Sequence, residues 1–329
     1  ALGPLVDVHR VTGEQAALDL AADVATLLVR EHFPADGAFD QERLGTHVHS
    51  ITSSLSSLAA FAAWTGDGEA MRHARAFYDH GAATFRDAIG WCPEWIGEPQ
   101  PDRGESNITA DLVETALVLG QRVDPGYLDD AEVFVRASLL PTQLRDISFV
   151  DPADAVRVDL ARRLQGAFGF PAPYGHTPAG SDRLDLNLDI VGGAVRGLCL
   201  VTDACQRVDE RGRMAVDLLL THHDRATVTV DHDAGLLSAV VPPGTPLAIR
   251  RSRWVELEPD GPDRWVEDDG YLVLSEPLPG VPVRVRLQAV TREVVLHHRT
   301  RSIEATLKGS AVKSMRSFGA PLTFFPEPS

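Results

Sequence analysis

The hydrophobic period of this chain changes once, and that change restricts the architecture more than any motif. From Glu14 to Val208 apolar residues recur at helical spacing. Helices are expected over Gln15 to Arg30, Ile51 to Thr65, Glu69 to Asp87, Thr109 to Arg122, Leu128 to Leu140, Asp154 to Leu164 and Asp189 to Val208. Turn signals such as TGDG and DPGY separate them, which suits antiparallel neighbours. After Arg211 the period becomes two, in short runs such as ATVTVD, GLLSAVV, YLVLSE and VPVRVRLQA divided by Pro and Gly. Strands that follow helices, rather than alternate with them, exclude a doubly wound nucleotide-binding fold. The expected class is α+β, with a helical domain over 1–210 carrying the site and an antiparallel β-sandwich or jelly roll over 211–329.

Composition narrows the function classes. With 47 acidic against 31 basic residues the net charge is −16, which repels a polyphosphate backbone, so no nucleic acid partner is expected. No run approaches a membrane span and no secretory leader pattern opens the chain. Three cysteines, two of them six residues apart on one expected helix, do not make a disulfide framework, and a reducing, cytoplasmic setting follows. No phosphate loop or dinucleotide fingerprint is present, and no Cys/His cluster has zinc spacing, so neither cofactor nor metal is expected.

The segment GWCPEWIGEPQPDRGESNITAD, Gly90 to Asp111, crowds acids, prolines and two tryptophans into a loop that opens a helix. Glu94 and Glu105 are candidates for a carboxylate pair, since two carboxyls in different surroundings separate into an acid and a base or nucleophile. Trp91 and Trp95 flank Glu94 and offer either flat faces for a sugar ring or anchors for the loop. In THVHSITSS, His47 and His49 precede an apolar helix that Ser50 or Thr52 could cap, and a two-apart pair in extended chain points to opposite faces. Tyr174, His176, Asn187 and Asp189 fall on an irregular run into the next helix, where Asp189 stands as an N-cap or a site acid. Gly192 and Gly193 in its first turn suggest close approach by another helix or a ligand. Asp129, Asp130 and Glu132 read as a solvated helix face, and His222, His223, His297 and His298 as strand-end packing.

The order of the segments TGD, YDHGAATFRDAIGW, GESNITADLVETALVLG, YLDDAEVFVRASLLPTQLRD, LDIVGGAVRGLCLV and VDLLLTHHDRATVTV resembles the β-L-arabinofuranosidase-like glycoside hydrolases over most of residues 45 to 290. The resemblance implies an (α/α)6 toroid followed by β-sandwich material. It also implies zinc held by a Glu and cysteines, a Cys nucleophile and a second Glu as general acid/base. Here the family's Glu-any-Cys is Glu105, Ser106, Asn107, and its adjacent Cys pair is Ile190 and Val191. Nucleophile and thiolate ligands are both absent, so the zinc–cysteine mechanism does not transfer. The resemblance does transfer a location, with Glu105, Asn107 and Asp189 facing one pocket and Glu94 in the acid/base loop. His47 matches the family's sugar-contacting His-any-Asn-Thr.

These readings imply a zinc-free glycosidase in which Glu94 protonates the leaving oxygen and Glu105 or Asp189 is base or nucleophile. His47, His49, Trp91, Trp95, Asn107, Tyr174 and His176 would bind the carbohydrate. The alternatives are a non-catalytic carbohydrate-binding or scaffold protein, and a polysaccharide lyase with Tyr174 or His176 as base. A ring of six helical hairpins takes about twelve helices and about seven are legible, so the toroid reads as incomplete. A missing N-terminal segment or a second copy is then expected to complete it.

Overall fold

A computed structural model of the chain describes residues 2–97, 102–179, 181, 183–220, 222–224, 227–261, 264–298, 301–316 and 318–328. Helices come first: α1 Leu2–Thr12, α2 Gln15–Glu31, α3 Gln41–Leu44, α4 Val48–Thr65, α5 Gly68–Ala76, α6 Ser106–Arg122, α7 Tyr127–Val133, α8 Ala155–Leu164 and α9 Leu188–Ala204. Two of the expected long helices finish as π-helical turns, Phe77–Gly81 and Phe134–Leu139. None of the described helices is long and apolar enough to cross a membrane.

Local chemistry sets the helix ends. Asp67 accepts from the backbone N–H groups of Glu69 and Ala70 and caps α5, just after Gly66 closes α4 with φ +76°. Helix α4 buries Val48, Ile51, Leu55, Leu58 and Ala62 at helical spacing against Ile108, Leu112 and Ala116 of α6. Helices α6 and α9 approach more closely still. A Cβ on Gly193 would lie 2.7 Å from the Asn107 Cβ, and one on Gly197 would lie 2.7 Å from the Ala110 Cβ. Gly193 therefore serves helix–helix contact, while nothing approaches the corresponding position of Gly192 within 4 Å.

From Gln206 onward the chain forms strands in three sheets. A five-stranded sheet runs Gln206–Val208, Met214–Val216, Leu247–Arg250, Tyr271–Leu274, Trp265–Asp268; a second joins His222–Asp224, Val228–Asp231, Leu236–Ala239, Val283–Ala289 and Val255–Pro259. A three-stranded sheet, Thr291–His298, Arg301–Lys308 and Ala311–Met315, follows. The expectation of purely antiparallel pairing is corrected by Met214–Val216, which pairs in parallel with Leu247–Arg250. His222, His223, His297 and His298 lie on strands, and their side chains are outside the described residues.

A buried ion cluster fastens α7 to the sheets and overturns the solvated-face reading of its acids. Arg250, fully buried, places Nη1 2.6 Å from Asp129 Oδ1 and Nη2 2.6 Å from Glu132 Oε1, and its Nε donates to the Asp217 carbonyl. Ser252 Oγ donates to both carboxylates, the Leu219 N–H to Glu132, and the Trp254 indole to the Asp129 carbonyl. Buried charge survives because its partners are complete.

Candidate functional site

The loop before α6 is stitched at both ends. Val48 N–H donates to the Glu94 carbonyl and Ile96 N–H to the Thr46 carbonyl, which ties it to the mouth of α4. Glu94 N–H donates to the Arg103 carbonyl, Gly104 N–H to Pro171 and Ser106 N–H to Gly169, which ties it to the segment after α8. Gly104 is required there, since a Cβ would stand 2.5 Å from the Cys92 carbonyl and 2.6 Å from the Trp91 indole nitrogen. This lacing brings Glu94, Glu105, His47 and His49 together. Glu98 lies outside the described residues.

Glu105 is the N-cap residue of α6, but its side chain makes no cap bond. It is 6% exposed, and its Oε2 has no hydrogen-bond partner. His47 Nε2 stands 3.6 Å from Oε1 and His49 Nδ1 stands 3.8 Å from Oε2, both beyond hydrogen-bond length. Burial pushes the Glu105 carboxyl up to about 7; the Arg103 charge pulls it down, the Asp189 charge raises it further, and the Asn107 side chain lowers it. Glu94 is only partly buried and forms an ion pair with Arg103, which also bonds Asp185 at 2.9 Å and stacks on Phe170 with 3.6 Å to the ring centroid.

His47 has the expected extended backbone, but His49 does not. His47 is the N-cap residue of α4 and His49 lies in its first turn, so both imidazoles reach Glu105. Neither Ser50 nor Thr52 caps the helix: Ser50 Oγ is 2.8 Å from His47 Nδ1, and Thr52 donates to the partly buried Asp111 carboxyl at 2.8 Å. Burial lowers the pKa of both imidazoles, and for His49 the neighbouring His47 lowers it further while Asp189 raises it. Behind His49, Nε2 lies 3.7 Å from Asp111, whose carboxyl is pushed well up by burial.

The tryptophans divide. Trp95 is 38% exposed with its ring 4.5 Å from that of His47, so it borders the cluster. Trp91 is buried and its indole donates to the Pro171 carbonyl at 3.0 Å, so it pins the loop and presents no face to a sugar. Tyr174 is likewise corrected to a core residue: its hydroxyl is 2.5 Å from Asp102 Oδ2 and accepts from the Ala179 N–H. His176 stacks on Phe149 and meets Phe324 edge-on, and burial lowers it to about 4, so it is neutral. It lines a small pocket with Phe170, Asp185, Thr142 and Leu186, the first two of which also hold Arg103.

At α9 the cap is Asn187, whose side chain accepts from Leu188 N–H; Asp189 is exposed in the first turn and acts on Glu105 and His49 through its charge. Asn107 is buried against Gly193, its Oδ1 accepting from Ile108 N–H and its Nδ2 lacking a hydrogen-bond partner. Ile190 is buried among Ala110, Leu139 and Phe168, with Val191 packed alongside. The four positions matched to the family's zinc site therefore present one carboxylate, one amide and two packed apolar side chains, which do not fit zinc. A different set could hold a metal: His47, Glu94 and Glu105 place one ligand atom each within 4.8 Å of one another.

Arg103, Asp111 and Asp185 were not anticipated, and Ser50 was expected only as a cap. A signal for Arg103 existed, since it is the one basic residue between Gly90 and Asp111. Asp111 and Asp185 gain meaning only from partners tens of residues away.

No family model matches the chain, and no curated protein matches it significantly. Solved structures do. A glycoside hydrolase, 14% identical, superposes with a TM-score of 0.63 over 94% of this chain and 59% of its own length. A GH127 β-arabinofuranosidase, 15% identical, gives 0.60 over 95% and 55%. A GH127 β-L-arabinofuranosidase from Geobacillus stearothermophilus T6, 14% identical, gives 0.62 over 94% and 57%. The chain thus spans less than two thirds of the length of these structures. At such identity the likeness is one of fold, and the chain has, over nearly its whole length, the fold of the GH127 β-L-arabinofuranosidases.

Proposed function

We propose that this chain carries the acid and nucleophile of a retaining glycosidase, on a helical domain over 1–210 that is part of a toroid and is backed by β-sandwich material over 211–329. The observation that carries the reading is a pair of carboxylates whose nearest oxygens lie within 4.8 Å and whose surroundings differ. Retaining enzymes hold their carboxyls about 5–5.5 Å apart, whereas inverting ones leave about 6.5–9.5 Å for a water between them. The roles run opposite to the order expected from sequence. Glu94, paired with Arg103, favours the carboxylate form and is the nucleophile. Glu105, buried without a paired cation and raised to about 7, holds a proton near neutrality and is the general acid.

The chemistry balances in two steps. The Glu94 carboxylate attacks the anomeric carbon as the glycosidic C–O bond breaks, and the leaving oxygen takes the Glu105 proton. Glu105, now ionised, takes a proton from water as that water attacks the anomeric carbon, which frees the sugar and restores both residues. Trp95 beside His47 supplies an apolar face for the ring, and Asp189 favours the protonated form of Glu105. β-L-Arabinofuranosides are the first glycosides to try, because two similar structures carry β-arabinofuranosidase names.

Aryl glycosides separate the roles. Glu94→Ala should lose hydrolysis and regain turnover with azide, yielding a glycosyl azide. Glu105→Gln should lose hydrolysis of alkyl glycosides while keeping that of a dinitrophenyl glycoside, whose leaving group needs no proton. Sugar binding with no turnover by the wild-type protein on any glycoside would favour the non-catalytic alternative. Azide rescue of Glu105→Gln instead of Glu94→Ala would reverse the assignment.

A further inference from the structure

Glu105 sits between two imidazole nitrogens that stop short of it, at 3.6 Å from His47 Nε2 and 3.8 Å from His49 Nδ1. Both gaps are too long for hydrogen bonds, and the one to His47, which offers a ligand atom within 4.8 Å of one from each of Glu94 and Glu105, suits the edge of a coordination polyhedron. Donors about 2.1 Å from a tetrahedral metal stand roughly 3.4 Å from one another. A buried carboxylate oxygen without a partner, Glu105 Oε2, points independently to a missing cation or donor. His47 supplies a further observation: its Nδ1 is 2.8 Å from Ser50 Oγ, which leaves Nε2 free to ligate, as outer-shell hydrogen bonds do for metal-bound histidines.

We propose that His47, Glu94 and Glu105 form a binding site for a divalent transition-metal ion of the zinc or manganese class, and that this ion competes with Arg103 for the Glu94 carboxylate. One imidazole and two carboxylates make a borderline donor set, better suited to these ions than to calcium or magnesium. The set shares only Glu105 with the four positions matched to the family's zinc and uses no thiolate. Binding displaces the proton from Glu105 and takes Glu94 from Arg103, which keeps Asp185 as its partner. An ion held by both carboxylates removes acid and nucleophile together, so it inhibits hydrolysis; that consequence, unlike the binding, rests on the glycosidase reading.

The test is titration of chelator-stripped protein with cobalt(II), read as visible d–d absorption, followed by displacement with zinc in a calorimeter. One ion per chain is expected. Affinity should fall at least about ten-fold in His47→Gln and in Glu105→Gln, the scale on which metal-site substitutions act. In Arg103→Gln it should rise, because the competing cation is gone, and a folded variant with gained affinity cannot be explained by misfolding. Thermal melts confirm that each variant is folded. Absence of cobalt binding by both wild type and Arg103→Gln, or equal binding by wild type, His47→Gln and Glu105→Gln, overturns the site. Hydrolysis without metal binding overturns this proposal alone, and metal binding by a chain that hydrolyses nothing even when stripped of metal overturns the glycosidase reading alone.

Discussion

Glu105→Gln should stabilise the protein at pH 8 and leave it nearly unchanged at pH 4. Burial in the folded chain raises this carboxyl from 4.5 to about 7, and unfolding returns it to the ordinary value. Between those values the folded chain holds a proton that the unfolded chain has released, so stability falls as pH rises. The contribution is fully present below about pH 4.5 and is lost as pH rises through about 7. Above that, the wild-type protein carries a buried charge that costs roughly 3 kcal/mol, the equivalent of the gap between 4.5 and about 7. Gln has the same shape and no charge at any pH. Asp87, also raised to about 7 by burial, titrates in both proteins and cancels in the difference, whereas Asp111, raised well up by burial and further by the Glu105 charge, is relieved of that charge in the variant, which acts in the same direction. Denaturant unfolding from pH 4 to 9, with chelator present, should give a difference near zero at the acid end that grows to roughly 3 kcal/mol, a few degrees in Tm for a chain of this size. A difference of constant size across that range would refute the reasoning, because it would mean that Glu105 ionises alike in the folded and unfolded chain.

Arg250→Ala should cost about 3–5 kcal/mol in denaturant unfolding, since it leaves Asp129 and Glu132 buried with Ser252, backbone donors and, for Asp129, Arg253 at 4.0 Å. Trp91→Ala should cost about 3–5 kcal/mol in the same assay, whereas Trp95→Ala, exposed beside His47, should cost under about 1 kcal/mol and instead weaken sugar binding in a thermal-shift titration.

The change of period was legible because it is local. Gln15–Glu31, Ser106–Arg122 and Leu188–Ala204 lie within a few residues of where apolar spacing places them. Helix α1 escaped because Pro4 stands in a short apolar stretch, although proline is compatible with a first helical turn. The π turns at Phe77–Gly81 and Phe134–Leu139 escaped because they keep the apolar pattern of an α-helix and differ only in which carbonyl each N–H reaches. In the site, Glu94, Glu105, His47, His49 and Trp95 lie together. Trp91, Tyr174 and His176 do not, which sequence could not show because an aromatic in a loop reads alike whether it pins the loop or lines a cleft. Only the partner decides: Pro171 for Trp91, Asp102 for Tyr174 and Phe149 for His176.

The same rule separates the buried acids, which sequence cannot rank. Glu132, near the end of α7, and Glu105, at the start of α6, are both almost fully buried glutamates. Glu132 has a guanidinium, a serine hydroxyl and a backbone N–H arranged around it, and its worth is the joining of α7 to the sheets. Glu105 has two imidazoles that stop short of it and one oxygen without a donor. A chain that needed only rigidity there would gain from any apolar side chain of similar volume, since an unpaired buried carboxyl lowers stability at neutral pH. Its presence beside an ion-paired Glu94, at the mouth of two helices and next to an exposed Trp95, is therefore better explained by what it exchanges with a ligand, a proton or a metal ion, than by what it adds to the fold.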